Sequence, residues 1–372
     1  MKKKIICIIS ALLLIFTCSC DKKKNNLPDS SNDIQYINML YNICGNGRIC
    51  ALDDVAYYID HNTMEKVPLC SIPNCTHTTG ECPAKVIGHT PLLIDNFIYF
   101  FNYTDGVNEL KNGKREIYLN SKLCRISLNS SEVNDIVNFT DCQPCDYNGI
   151  LLYKNKIYFV ANDRNPTEDE YGNIRTSNIG GNHFICSIDL KTGEYKNHGY
   201  IYDKNNLNKT GQNTNSAIIK GIYDSKIYIN YSYYENTKIK DENGEPISTT
   251  KVFEFDPETE KLILSDLPAS INYLTGDTYI GYDNNIKKTI IFTNGQKSEY
   301  DIYPGKFALL FNNKLFYKDK WCDLTNMTVH KFPDNYESFW AIDYYDGYYI
   351  LVLGNKTVKL TEEELLALDK EE

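Results

Sequence analysis

Three thiols and one imidazole fall within thirteen residues, Cys70, Cys75, His77 and Cys82, in the run CSIPNCTHTTGEC. Four nitrogen and sulfur donors are what a tetrahedral structural zinc requires, and a turn containing Pro73 and Gly80 can wrap one ion. The same thiols could instead be oxidised if the chain is exported, Cys75 to Cys82 or either to a second group. That second group is Cys142-Gln-Pro-Cys145. A Cys-x-x-Cys outside a βαβ unit is weak evidence for redox catalysis. Cys44 and Cys50 flank Gly45-Asn46-Gly47 and could meet as a disulfide across a hairpin. Cys124, Cys186 and Cys322 lie within apolar strand motifs and read as small buried hydrophobes.

The N-terminus explains why oxidation has to be considered. Lys2, Lys3 and Lys4 precede an apolar run, Ile5 to Phe16, that is too short to span a bilayer comfortably. These are the parts of a secretory signal. Its end, Thr17-Cys18-Ser19-Cys20, resembles the lipobox of bacterial lipoproteins, with Cys20 as lipid acceptor and Cys18 as the alternative. The expected organisation is a signal peptide over 1–19, a lipidated flexible tether over 20–33 and a folded body over 34–372. The tether is rich in Lys, Asn, Ser and Asp and cannot bury a face. The chain is expected to sit on a bacterial cell membrane, with its body facing the exterior. The formal charge of -10 over 372 residues argues against nucleic acid as a partner.

The body is repetitive. An apolar strand, a short Asn/Asp turn and an Ile/Tyr-rich strand recur at Leu92–Phe101, Ile150–Val160, Ile218–Asn230 and Phe307–Tyr317. Weaker copies lie at Arg48–Ile59, Tyr273–Gly281 and Ile342–Leu353. A second motif, a strand ending in an Asp-containing turn, follows several of them, as in Phe184–Glu194 and Val252–Glu260. Each pair of motifs makes a four-stranded antiparallel unit. Radial repetition of such units gives an all-β fold, a β-propeller of about seven blades, with six or eight as alternatives. Thr361 and Glu364 have capping-box spacing and predict a short C-terminal helix. No outer strand precedes that helix, so Ile34–Leu40 is expected to fill the gap and tie the ring shut.

The long insertions, Asn102–Arg115, Asn162–His183, Asp203–Asn215 and Tyr234–Thr250, are expected to project from one face of the disc. Both cysteine groups lie in blade-to-blade connections and should sit near each other on that face. The insertions carry Asp163, Glu168, Asp169, Glu170, Asp241, Glu242 and Glu245, with Tyr171, Tyr233 and Tyr234 nearby. Aromatics and carboxylates together suit a glycan or peptide, with calcium as a conceivable addition. Solvated hairpin tips on an acidic protein are the plainer explanation.

Val67–Ala84 resembles a motif in uncharacterised lipoproteins of low-GC Gram-positive anaerobes. These carry a propeller like that of the prolow-density-lipoprotein-receptor-related protein. Leu69, Cys70, Pro73, Asn74, Cys75, His77 and Cys82 fall on that motif. The resemblance implies a cell-surface propeller and brings no activity with it. The chain has no HExxH, GxSxG or phosphate-loop motif. It therefore reads as a surface-anchored binding or scaffold module rather than an enzyme, with an extracellular protein, peptide or glycan as partner. An exported carbohydrate-active enzyme is one alternative, and paired carboxylates at the central opening would mark it. A metal- or redox-sensing propeller built on the cysteine clusters is the other.

Overall fold

The computed structural model describes the chain from 35 to 368, apart from short stretches of which 202–215 and 235–247 are the longest. It is a β-propeller of seven blades. Blade one comprises Ile43–Cys44, Gly47–Leu52, Val55–Asp60 and Lys66–Pro68, from the innermost strand outwards. Blade two comprises Leu92–Ile94, Phe97–Glu109, Arg115–Ser127 and Val133–Phe139; blade three comprises Ile150–Tyr153, Lys156–Asp163, His183–Asp189 and Tyr195–Tyr200. Blade four runs through Ser216–Tyr223, Lys226–Tyr234, Ser248–Asp256 and Lys261–Leu264. Blade five runs through Ile271–Thr275, Thr278–Asp283, Lys288–Thr293 and Gln296–Tyr300. Blade six holds Ala308–Phe311, Lys314–Tyr317, Lys320–Asp323 and Thr328–Lys331, and blade seven holds Phe339–Tyr345, Tyr348–Leu353 and Lys356–Leu360.

Local chemistry sets the hairpins. Lys154-Asn155, Asp224-Ser225, Asn312-Asn313 and Asp346-Gly347 each place two successive residues at positive φ. That is the type I′ geometry whose twist matches the flanking strands, and it favours Asn, Asp and Gly. The second hairpins turn on an aspartate. Asp60, Asp189 and Asp256 each accept from the backbone N–H groups two and three residues on, and Asp323 accepts from that of Thr325. Between blades, the two faces interlock. Phe101, Leu123 and Phe139 of blade two pack with Phe159, Phe184 and Ile188 of blade three.

Two insertions expected as loops are strands. Phe97–Glu109 and Arg115–Ser127 pair along their whole length, so blade two extends as a ribbon beyond the ring. A hairpin from blade three, Asn165–Glu168 and Ile174–Asn178, joins that ribbon in parallel, with Ile174 opposite Glu116.

Ring closure also differs from expectation. Gln35–Ile37 does not complete blade seven; it pairs with Leu152, Leu151 and Ile150 on the innermost strand of blade three. The helix Glu362–Leu368 packs against blade seven instead, burying Leu365 against the six-to-seven core of Phe316, Trp321, Tyr349 and Leu351. Its capping box is formed: the Glu364 N–H donates to Thr361 Oγ1 at 3.2 Å and the Thr361 N–H donates to Glu364 Oε2 at 2.8 Å. Blades one and seven then meet through side chains. Arg48 Nη2 donates to Thr357 Oγ1 at 2.7 Å, and the fully buried His61 lies 3.2 Å from Asp343. Among the described residues, no helix is long and apolar enough to cross a membrane.

Candidate metal centre

The turn between blades one and two starts where Lys66–Pro68 leaves the outer edge. Leu69 anchors it by burial in the one-to-two core, and its N–H donates to Ala56 O at 2.9 Å. Asn74 and His77 both adopt positive φ, which folds the intervening residues back on themselves. A four-residue helix, Pro83–Val86, follows Cys82 and leads to blade two. Cys82 and Ala84 are buried against Val55 of blade one, with Cys70, Cys75 and Tyr57 packed around them. The donors are thus carried by a turn fastened at both ends.

The donor atoms of Cys70, Cys75, His77 and Cys82 all lie within 4.8 Å of one another. This group could hold a metal ion. Zn–S bonds of about 2.3 Å and Zn–N bonds of about 2.0 Å would set the edges of a tetrahedron at about 3.5–3.8 Å. Only a small contraction separates the observed cluster from that figure. His77 Nδ1 already approaches Cys82 Sγ at 3.3 Å. The His77 backbone N–H donates to Cys75 Sγ at 3.4 Å, and that bond draws the Cys75 thiol below its ordinary pKa. Burial acts oppositely on Cys70, pushing it up to about 11. A cation among these sulfurs would remove that cost by favouring the thiolates.

No disulfide joins Cys50, Cys70, Cys75 and Cys82 in this structure. Cys44 faces Gly47 in the hairpin register while Cys50 faces Tyr57, so the strand pairing does not set the two cysteines opposite each other. The two dense groups do not share a cluster either. Cys142 belongs to the core between blades two and three, where Cys142 and Cys186 both contact the Tyr195 hydroxyl, at 3.3 and 3.4 Å. Burial raises the Cys186 thiol well above its ordinary pKa, which suits a packing role.

The proposed binding residues are partly dispersed. Glu168 lies on the joined ribbon, 3.2 Å from Lys114, and Tyr171 at its tip is 77% exposed. Asp163 accepts from Asn182 at 3.1 Å and from the Tyr200 hydroxyl at 3.3 Å. Tyr233 is not a surface aromatic: it is buried in the three-to-four core, since its position in the strand turns it inwards. Tyr234 ends the same strand, while Asp169 and Asp241 lie outside the described residues, as do Cys20, the signal and the tether. The innermost strands carry one carboxylate, Asp343, and His61 contacts it. Paired carboxylates are therefore not found on those strands among the described residues.

No protein-family model and no curated protein matches the chain. Solved structures do match in overall shape. The oligogalacturonate lyase of Vibrio parahaemolyticus is 12% identical, with 91% of this chain and 82% of that one covered and a TM-score of 0.39. The dipeptidyl peptidase 4 of Porphyromonas gingivalis is 10% identical over 93% of this chain and 61% of that one, with a TM-score of 0.44. A chain of a nidogen/laminin complex is 12% identical over 80% and 92%, with a TM-score of 0.35. The expectation that the chain is not an enzyme is withdrawn on these matches, since a lyase and a peptidase stand among them. At this identity the likeness concerns fold, and no activity passes from them to this chain.

Proposed function

We propose that the chain is a lipid-anchored propeller on the outer side of a bacterial membrane, stapled between blades one and two by a structural zinc. Its projecting ribbon presents a binding surface for an extracellular protein, peptide or glycan. The convergence of four Cys/His donor atoms within 4.8 Å is the observation that carries this reading. Zinc fits best because three thiolates and one imidazole are soft and borderline donors in a closed tetrahedral set. With all four positions supplied by protein, no site stays open for a reacting molecule, so the ion acts on structure. In an exported chain, metal ligation would also protect these thiols, which would oxidise as unligated pairs. Export itself rests on the N-terminal signal and on Cys20. The ribbon supports the binding role because it extends beyond the ring, and the hairpin joined to it ends in the exposed Tyr171.

The test is metal content with a thiol count on the exported portion, purified without oxidant or chelator. One zinc per chain is expected, with Cys70, Cys75 and Cys82 protected from alkylation until a chelator removes it. Absence of zinc, with thiols missing in pairs, would replace the staple by disulfides.

A further inference from the structure

The seven innermost strands bring few charges to the hub of the ring. Their only formally charged side chains are Asp343 and Lys220. Asp343 contacts His61. Lys220 has no carboxylate beside it among the described residues, and burial is the sole influence on its ammonium.

The inner strands of blades four, five and seven each carry a bulge, whose extra residues are Lys220, Asn272 and Ile342, and of these Lys220 alone is charged. Ile219 faces Ile229 and Gly221 faces Tyr228, so Lys220 is the extra residue of a β-bulge in the inner strand of blade four. Bulges re-aim a side chain, and they recur beside binding and catalytic sites. Gly221 holds the bulge at φ +130, and a Cβ there would lie 3.1 Å from the backbone oxygen of Leu274 in blade five. Only glycine can occupy that position without strain. Ala217, Ile219 and Ile222 enter the core between blades three and four, whereas Lys220 stays out of it and remains partly open to solvent. Burial lowers its pKa to about 8. Tyr228, opposite Gly221 on the next strand, has its phenol pushed well above its ordinary value by burial and stays neutral where Lys220 titrates.

A partly desolvated ammonium with no counter-charge costs free energy that an incoming anion would recover. The strand Gln35–Ile37, paired next door on blade three, carries no charge and cannot supply it. We propose that Lys220 is the anchor of a carboxylate-binding site at the hub of the ring. One cation in this setting balances one negative charge, so the ligand is a carboxylate-bearing monoanion; a phosphate dianion would need a second cation that the inner strands do not provide. The site is independent of the zinc turn, and its test reads Lys220 alone.

The experiment is NMR of the zinc-loaded exported portion after reductive ¹³C-dimethylation of its lysines. The Lys220 resonance is assigned by its loss in Lys220→Gln. That resonance is expected to titrate near pH 8, below every other lysine, and acetate should move its titration upwards, because a bound carboxylate favours the charged amine. Acetate binding should weaken by about tenfold or more in Lys220→Gln and be restored by Lys220→Arg. A Lys220 that titrates with the surface lysines, or one indifferent to acetate, would overturn the proposal. A larger response to inorganic phosphate than to acetate would overturn the monoanion assignment.

Discussion

Replacing Cys82 with serine is expected to abolish zinc binding and lower stability by about 4 kcal/mol, near the upper end of single-residue effects. A melting temperature lower by roughly 6 °C would correspond to that loss in a domain of this size. Two costs combine. Cys82 is 1% exposed and packs against Val55 and Ala84, so a serine hydroxyl would be buried without the sulfur's contacts. It also lies 3.3 Å from His77 Nδ1, and three remaining ligands no longer close the tetrahedron. The control is Cys50→Ser, which alters a thiol outside the turn and should leave the zinc count at one. Calorimetry with metal analysis on both variants decides the matter. Equal melting temperatures, or zinc retained in Cys82→Ser, would remove the staple from this protein's stability.

The second large effect is expected at Asn230, which is 7% exposed on the second strand of blade four. Its Nδ2 donates to Ile271 O at 2.8 Å, and its Oδ1 accepts from the Ile271 N–H at 3.2 Å. One amide thereby satisfies both backbone groups of a buried residue on the inner strand of blade five, beside the bulge at 271–273. Asn230→Leu keeps the volume and removes both bonds, leaving an orphaned donor and acceptor. At about 1–3 kcal/mol for each buried group left unpaired, the loss should be about 3–4 kcal/mol. Asn230→Asp should be at least as damaging, because it turns a carboxylate oxygen towards the Ile271 carbonyl. Urea unfolding measures both, and a midpoint shift of Asn230→Leu no larger than that of an exposed substitution such as Glu168→Ala would refute this role.

The hairpins were legible in the sequence because their information is local. Asn-Asn at 312–313 or Asp-Gly at 346–347 specifies a two-residue turn whatever lies elsewhere in the chain. The four metal donors were legible for the same reason, crowded into thirteen residues whose types declare a chemistry. The failures are non-local. Whether Asn102–Arg115 is a loop or a ribbon depends on a hairpin from the next blade pairing beside it. Tyr233 reads as a loop aromatic until its strand is seen to continue through it and turn it into the core. Asn230 and Lys220 gave no signal at all. An Asn near the end of one strand motif acquires its role from Ile271, forty-one residues on. The bulge that frees Lys220 is visible only once the register on both sides is known.

Among the described residues, blades one and seven meet through Arg48, Thr357, His61 and Asp343, and no hydrogen-bonded ladder of those residues crosses the boundary. Blades four to seven each come from one unbroken stretch of chain. The ring therefore does not depend on which of these blades is made last. A circular permutant opened at 305–307, with the original ends joined by a flexible linker, is expected to form the same seven sheets with nearly unchanged melting. A permutant that fails to fold would mean that the order of synthesis, and not the closed set of blade contacts, selects the ring.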